Sequence, residues 1–488
     1  MKNKIMLVLF TTALFSSGAI LAASDVAKKP VSNKSISSLS ERTNALEKQV
    51  HALKSQLALM QSPSGEQSDN NQFKTIMEMY AHGPAVVTSP VFGLRGPSDN
   101  YELMVNLSWI NKDLYLLKLR QKMDDYAVEN GIPIPRGPVM VLSGGVEGQV
   151  VYNNNYEYSR NSKTDINLTS AELDIVGEVG PWATGAMIIN YDDGDTKSSG
   201  GSVARSNNSR LRLDRAWITL GQLNKCPLYF SIGQLFAPFG RYDSFMVTTP
   251  STRALGRVKD RMAILGFAKD GFYTQIYGFS GETKKDTSKE FARHGGFNVD
   301  YIYGRDNFGM HVGGGLLGNL AESQGMQDIL GKSKSGASTS AERIKSGVFG
   351  YNGHVKFDIY DFDLMAEYVG ASKAFDSADL AFNSSGAKPW ALDAEGAYSF
   401  RIKGKLNTVF VGYNQTGQAL GLNLPKRSYF AGYSIALIKN VLASVEYRHD
   451  TNYSWSDTAA STNGTVGASD VTKGRHSNTV TMQLGVYF

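Results

Sequence analysis

The last ten residues of the chain, TVTMQLGVYF at positions 479–488, alternate between apolar and mostly polar side chains. Successive side chains of a β-strand point to opposite faces, so Val480, Leu484 and the terminal Phe488 share one apolar face. Gln483 lies on the polar face. Such a strand either buries its apolar face in a soluble core or turns it to lipid around a wet lumen. The pattern of side chains in the rest of the sequence distinguishes between these two structures.

The same alternation recurs from Val139 onward, and charged side chains occupy only one face of each segment. For example, Ala171 and Leu173 alternate with Glu172 and Asp174. We count about sixteen such segments by the repeat of two, which is more long strands than one sandwich core accommodates. The sequence therefore predicts an all-β transmembrane barrel of about sixteen antiparallel strands, formed by residues 139–488.

The connections between these segments alternate in length, as the topology of outer-membrane barrels requires. Short connections lie at Gly180, Lys269, Gly304, Tyr360 and Ile438, and long ones span residues 193–208, 237–260, 280–294, 318–346, 371–389, 414–427 and 451–477. An even strand number puts both barrel ends on the periplasmic side, where the closing strand meets the first. A terminal aromatic also suits the signal that barrel-assembly machinery reads. We therefore expect the outer membrane of a Gram-negative bacterium, with lipid and lipopolysaccharide as neighbours.

Composition agrees with a barrel. The 488 residues include 50 Gly, 24 Tyr and 23 Phe, and only 19% are charged. After the N-terminal leader, no stretch keeps the roughly 18 uncharged apolar residues that a membrane-spanning helix needs. The formal charge of +5 falls to +3 without Lys2 and Lys4, which is too small to indicate a nucleic-acid partner. The lone Cys226 excludes an intramolecular disulfide framework.

The first segment of the chain has the features of an export signal. Lys2 and Lys4 form a positive n-region, IMLVLF begins an apolar stretch, and AILAAS offers a small-residue cleavage site near Ala23. We therefore predict a signal peptide at residues 1–23.

Residues 24–63 carry a heptad repeat. The a positions are Ile36, Thr43, Val50 and Leu57, and the d positions are Leu39, Leu46, Leu53 and Met60. This spacing predicts a periplasmic coiled coil, because a single helix cannot bury an a/d seam by itself. Two interpretations stay open at this point. The helix either associates with other copies, as a homotrimer, or docks on its own barrel.

Residues 64–138 combine a polar linker with a helical segment. The stretch SWINKDLYLLKLRQKMDDYAVENG predicts a helix that ends at Gly131, with Leu114 and Leu117 on one apolar stripe and Leu119 and Met123 on another. A helix with two apolar stripes should be covered by other protein. A plug in the lumen and a cap on the periplasmic side both satisfy this requirement.

Three features together resemble a known family. They are the opening strand GPVMVLSGGVEGQVVY, the stretch RAWITLGQLNKCPLYFSIGQLFAPFGRYD and the terminal Phe488, following a leader and a short coil. This arrangement resembles the LbtU-type siderophore porins of Legionella-like bacteria over essentially the whole chain. The resemblance implies an outer-membrane receptor or porin that imports a ferric, polycarboxylate-type siderophore. The motifs also occur in other porins, so a general or anion-selective porin is the alternative.

Other classes of outer-membrane protein fit less well. A TonB-dependent receptor needs about 22 strands and a globular plug, for which this chain is too short, so uptake should be TonB-independent. An enzyme would need a nucleophile beside one of the barrel histidines, which are His294, His311, His354, His449 and His476. No nucleophile motif accompanies any of them. The sequence therefore indicates no enzyme, no cofactor and no metal site.

The predicted ligand site lies on the third long connection, because in sixteen-stranded porins this loop commonly folds inward. The candidate residues are Arg241, Arg253, Arg257, Lys259 and Arg261, extended by Arg210 and Arg212 on the preceding hairpin, against Asp243 and Asp260. Guanidinium groups match carboxylate oxygens, so these cations would hold a small anionic solute or a polycarboxylate siderophore. The open alternative is a solvated loop that faces lipopolysaccharide phosphates.

Overall fold

A computed structural model describes residues 86–88, 103–131, 138–154, 163–192, 210–285, 294–305, 307–330, 343–461 and 476–488. Within them, sixteen strands form a closed antiparallel barrel, as predicted. The barrel strands are β1 Val139–Asn154, β2 Lys163–Val179, β3 Ala183–Asp192, β4 Arg210–Gly221, β5 Leu228–Phe236, β6 Lys259–Lys269, β7 Phe272–Phe279, β8 His294–Arg305, β9 Phe308–Leu317, β10 Gly350–Ile359, β11 Phe362–Ala371, β12 Trp390–Ile402, β13 Lys405–Gly417, β14 Arg427–Ile438, β15 Val441–Thr451 and β16 His476–Tyr487.

The barrel closes between its first and last strands. Strand β16 pairs antiparallel with both β15 and β1. The backbone N–H of Gly144 donates to the Phe488 carbonyl at 2.8 Å, and the Phe488 N–H donates to the Gly144 carbonyl at 2.9 Å. The seam is therefore hydrogen-bonded through the terminal residue, as the alternation at positions 479–488 predicts.

Side chains of β16 separate into an apolar outer face and a polar inner face. On the outer face Met482 is 55% exposed and Leu484 50%, whereas on the inner face Thr481 is 1% exposed and Gln483 7%. The other strands singled out by their alternation follow the same rule, with Glu172 and Asp174 buried inside β2. The predicted assignment of faces is confirmed.

Aromatic rings cluster on the outer surface near both ends of the strands. Toward the long connections, the Tyr368 ring stacks on Tyr351 at 5.6 Å and on Trp390 at 5.9 Å between centroids. At the opposite end, the Phe362 and Tyr398 rings lie 4.7 Å apart. Aromatic girdles that flank an apolar band are typical of transmembrane barrels.

One end of the barrel carries tight turns and the other carries long loops. The turn after β6 places Asp270 at φ 50° and Gly271 at φ 81°, a combination that suits a two-residue hairpin. The short connections predicted at Gly180, Gly304, Tyr360 and Ile438 also join consecutive strands. The loop predicted at residues 414–427 is shorter than expected, because β13 continues to Gly417 with Asn414 and Thr416 buried.

The long loops carry the remaining small elements. These are α2 Ser251–Gly256, α3 Gln324–Leu330, two 3₁₀-helices at Leu320–Glu322 and Leu420–Leu422, and short strands at Lys284–Lys285, Arg343–Ile344, Leu380–Phe382, Ser385–Gly386 and Ala459–Ser461. A further strand, Val86–Thr88, pairs in parallel with residues 140–142 of β1.

Helix α1, Lys112–Glu129, lies against the inner wall of the barrel. Leu114 and Leu117 contact Tyr229 and Tyr273 of the wall, and the Lys112 ammonium donates to Asp174 Oδ2 at 2.8 Å. Gly131, at φ 66°, follows the end of the helix, as predicted. Both apolar stripes are buried, which satisfies the expectation that other protein covers this helix.

Two predicted segments lie outside the described residues. They are the signal peptide at residues 1–23 and the coiled coil at residues 24–63. Among the described residues, no helix is both long enough and apolar enough to cross a membrane.

Candidate functional site

Loop L3, residues 237–258 between β5 and β6, folds into the lumen. Its Tyr242 side chain is fully buried. Glu367 points inward from β11 and accepts hydrogen bonds from the backbone N–H groups of Arg241 (2.8 Å) and Tyr242 (2.6 Å). The wall therefore binds the backbone of L3 rather than its side chains at this point.

Two more wall glutamates continue this attachment along L3. Glu395 on β12 accepts from the backbone N–H of Phe245 at 2.7 Å. Glu446 on β15 accepts from the Val247 N–H at 2.6 Å and from the Thr248 hydroxyl at 2.6 Å. Together with Glu367, these carboxylates satisfy the backbone donors that an irregular segment would otherwise leave unpaired inside the barrel.

The opposite edge of L3 pairs with the segment that precedes α1. The backbone N–H and carbonyl of Asn106 bond those of Ser244 at 3.0 and 2.9 Å. The Ser108 N–H donates to Asp243 Oδ1 at 2.8 Å. L3 and this segment form a partition across the lumen, with one cavity on its long-loop side and another on its short-turn side.

The upper cavity, on the long-loop side, has a volume of about 490 Å³. Its charged lining residues are Arg212, Arg215, Arg253, Arg257 and Lys259, against Glu147, Glu172 and Asp214. Among the described residues, the cavity lining thus holds more positive than negative side chains. Four of these five described cations belong to the predicted site; Arg215 was not part of that prediction.

A β-bulge turns Arg215 into this cavity. The register between β3 and β4 shifts between Ile188 and Ile189, which leaves Asp214 as the extra residue. As a result Asp214 and Arg215 are both buried inside, at 6% and 4% exposure. Lys259 Nζ donates to Asp214 Oδ1 at 2.6 Å. The bulge explains why the alternation of the sequence breaks near Arg215.

Two guanidinium groups lie over the ring of Phe236. The Arg215 group is 4.8 Å from the ring centroid and the Arg257 group 4.4 Å. Arg257 Nε also donates to Gln324 Oε1 at 2.8 Å. Burial and the neighbouring charges of Arg253 and Arg215 hold the pKa of Arg257 well below its usual value. The cavity therefore concentrates positive charge where little water screens it.

Only some of the hydrogen-bond donors of Arg253, on α2, have acceptors among the described residues. Its Nη1 donates to Asn106 Oδ1. Its Nε finds no hydrogen-bond acceptor within the part of the chain that the structure describes, and the same holds for the buried Nη1 of Arg215. Burial, together with Arg215, lowers the pKa of Arg253 to about 10. A bound carboxylate would supply acceptors for these donors.

Two of the remaining predicted residues, Arg241 and Arg261, do not line the upper cavity. Arg241 lies on the other side of the partition, where its Nε donates to Asp243 Oδ2 at 2.8 Å. Arg261, expected in the patch, is exposed on β6 and lines neither cavity, because its neighbour Met262 takes the inward position. Arg210 begins β4, and its side chain is outside the described residues.

The lower cavity, about 210 Å³, lies between α1 and the wall formed by β7–β10. Asp300 Oδ1 is 2.8 Å from His311 Nε2 and 2.7 Å from His354 Nε2, and all three side chains are buried. Sequence reasoning noted both histidines but missed this cluster. Asp300 and His354 are 54 residues apart and meet only through the register of β8, β9 and β10, which also brings His311 beside them.

Comparisons with known proteins identify relatives but no matching family model. A UPF0422 protein of Legionella pneumophila (strain Philadelphia 1) is 36% identical over 422 residues, which cover 84% of this chain and 78% of the relative. A UPF0422 protein of Coxiella burnetii is 33% identical over 410 residues, which cover 83% of each chain.

Solved structures of low sequence identity also align with the chain. The outer membrane channel DcaP of Acinetobacter baumannii is 14% identical with a TM-score of 0.45, covering 72% of this chain and 98% of that one. An anion-selective porin from Comamonas acidovorans is 12% identical with a TM-score of 0.47, covering 72% and 100%. The sequence identity to the Legionella and Coxiella relatives, over more than four-fifths of its length, establishes that this chain belongs to the UPF0422 protein family.

Proposed function

We propose that the chain is an outer-membrane channel that takes up small polycarboxylate anions through the upper cavity. One observation carries the proposal. L3 is attached to the wall through its backbone, and it presents Arg253 and Arg257, beside Lys259 at the start of β6, to an open cavity whose described lining is more positive than negative. A fixed loop that holds cationic groups at one cavity is suited to binding an anion in passage.

The outer surface supports the membrane location. Its side chains are apolar along the strands, and aromatic rings flank this band at both ends. In outer-membrane barrels the longer loops face the outside of the cell and the short turns face the periplasm. The upper cavity then opens toward the extracellular side, where solutes arrive and where lipopolysaccharide surrounds the loops.

The chemistry of the cavity favours carboxylates over simple halides. Each guanidinium is a planar fork that fits two oxygens of one carboxylate, and Arg215, Arg253 and Arg257 line the same cavity. A ligand with several carboxylates would engage more than one of these forks at once. The resemblance to LbtU-type siderophore porins supports a ferric polycarboxylate siderophore as the specific ligand.

An anion-selective porin without a dedicated ligand is the second candidate. The same excess of positive charge would attract any small anion, and cavities remain on both sides of the partition. The two candidates differ in saturation, because only a dedicated site fills at low ligand concentration. Assembly as a homotrimer through residues 24–63 remains a separate prediction.

The test uses the full mature chain in planar lipid bilayers. Citrate, a polycarboxylate probe, is titrated against the chloride current of the wild type and of the triple variant R253Q/R257Q/K259Q. The matched control R401Q/K403Q/K405Q removes the same charge from exposed positions around a periplasmic turn. We expect saturable inhibition in wild type and control, and inhibition at least about tenfold weaker in the triple variant, which is about 1.4 kcal/mol. Equal citrate inhibition of all three proteins would refute the site.

Uptake of a radiolabelled ferric polycarboxylate chelate by a deletion strain separates the two candidates. Saturable uptake that returns with the wild-type gene, but not with the triple variant, supports the siderophore channel. Unsaturable passage of many unrelated small anions supports the general anion-selective porin instead.

A further inference from the structure

We propose that Asp300, His311 and His354 form a binding site for a divalent transition metal ion on the lumenal wall of the lower cavity. This proposal does not depend on anion transport through the upper cavity. Two imidazoles and one carboxylate are ligands that Zn²⁺ and related ions accept, with the remaining positions left to water or a solute.

The distances between the three ligand atoms fit a common ion. Asp300 Oδ1 lies 2.8 Å from His311 Nε2 and 2.7 Å from His354 Nε2, and all three atoms are within 4.8 Å of one another. Ligands that each bind an ion at about 2.0–2.2 Å stand roughly 3 Å apart when adjacent around it. Only a small outward movement of the side chains would admit the ion.

A glycine makes room for this cluster. Gly313 lies between Asp300 and His354 in the register of β8, β9 and β10. A Cβ atom on Gly313 would lie 2.7 Å from His354 Nε2 and would also collide with the Asp300 carboxylate. The Asp300 carboxylate and the His354 imidazole can therefore meet only because residue 313 is a glycine and has no side chain.

A hydrogen bond at Nδ1 of His354 directs its Nε2 toward Asp300. The Asn352 amide donates to Glu367 Oε1 at 2.6 Å and to the Tyr368 carbonyl at 3.1 Å, which directs its oxygen toward His354 Nδ1 at 3.1 Å. Nδ1 is the donor in this contact, and a metal-bound imidazole would keep its proton there. Nε2 lies 2.7 Å from Asp300 Oδ1, which can only accept when ionised, so a proton occupies this contact until a cation displaces it.

Arg241 opposes metal binding at His311. Its guanidinium, which can only donate, contacts His311 Nδ1, so the imidazole proton is on Nε2 while this contact lasts. An ion at His311 Nε2 requires the proton to move to Nδ1 and Arg241 to withdraw. The side chain is partly exposed and already paired with Asp243, so withdrawal is feasible. The ion and Arg241 therefore compete for His311.

The experiment measures binding of Zn²⁺ alone to the full mature chain, folded in detergent and free of any polyhistidine tag. Titration calorimetry should show one saturable site with a micromolar or tighter Kd, and Co²⁺ should give visible absorption that Zn²⁺ abolishes. H354Q should weaken binding about a hundredfold. R241Q should strengthen it about tenfold, because the competing guanidinium is gone. H294Q is the control, since His294 pairs with Glu322 outside this cluster, and its binding should match the wild type.

Heat-modifiable migration in gels reports whether each variant has folded as a barrel. If H354Q does not fold, the test uses G313A and R241Q instead. G313A should lose Zn²⁺ binding, and R241Q should bind Zn²⁺ more tightly. Absence of saturable Zn²⁺ binding in the wild type overturns the proposal. Unchanged binding in H354Q, or equal binding in R241Q and wild type, also overturns it.

Discussion

The outer and inner faces of the barrel follow different rules, and β16 carries both within one strand. Outside, Met482, Leu484 and Val486 repeat one property, which is apolarity. Inside, Gln483 accepts a hydrogen bond from Gln149 at 2.6 Å, and the Tyr487 hydroxyl donates to Glu147 Oε1 at 2.7 Å. The outer face needs only to suit a uniform solvent, whereas the inner face needs specific neighbours.

The two faces also contribute differently, the outer face to barrel stability and the inner face to function. Any apolar side chain serves outside, so that face carries no information about a ligand. Inside, Glu367, Glu395 and Glu446 attach L3, and the cations of L3 face an open cavity. Changes outside should therefore alter barrel stability, and changes inside should alter the lumen while the barrel persists.

The largest expected effect comes from a charge on the outer face. Leu484→Arg should lower the free energy of unfolding in lipid by about 2–4 kcal/mol if the site lies near the bilayer midplane, because the guanidinium must enter hydrocarbon. Gln483→Arg, one residue away on the lumenal face, should cost less, about 1 kcal/mol for the lost hydrogen bond from Gln149, because its charge stays in the polar lumen. Urea titrations of both variants in vesicles measure the difference, and equal stability of the two would refute the assignment of faces.

An intermediate effect is expected from the attachment of L3. Glu446→Ala leaves the Val247 and Thr248 donors without their acceptor, at a cost of about 1–3 kcal/mol. A loosened L3 should also raise single-channel conductance. Glu446→Gln keeps one acceptor oxygen and should lie between the variant and the wild type. Wild-type conductance and stability in Glu446→Ala would show that the wall does not hold the loop.

A smaller effect is expected at the seam. Deleting Phe488 removes two backbone hydrogen bonds to Gly144, each worth about 1 kcal/mol. Export should remain normal while the yield of folded barrel in the outer membrane falls, as measured by heat-modifiable migration of membrane fractions. A normal yield of folded barrel would show that assembly needs neither the seam hydrogen bonds nor the terminal aromatic residue.

The contrast also explains what the sequence could predict. Strand faces, the closing seam and the burial of α1 follow from periodicity, because lipid and lumen impose a regular pattern on many residues at once. The inward turn of Arg215 depends on one bulge at Asp214, and the outward position of Arg261 on the local register of β6. The meeting of Asp300 with His354 depends on the pairing of three strands, which periodicity does not encode.

We infer that Arg253 and Arg257 on L3, together with Lys259 at the start of β6, make the lumen selective for anions, and the reversal potential of the channel under a KCl gradient measures this selectivity. At about 0.01 M salt, where charges act over about 30 Å, the wild type should favour chloride several-fold over potassium. R253Q/R257Q/K259Q should bring the permeability ratio close to one, while R401Q/K403Q/K405Q should keep the wild-type ratio. A wild-type reversal potential in R253Q/R257Q/K259Q would contradict this inference.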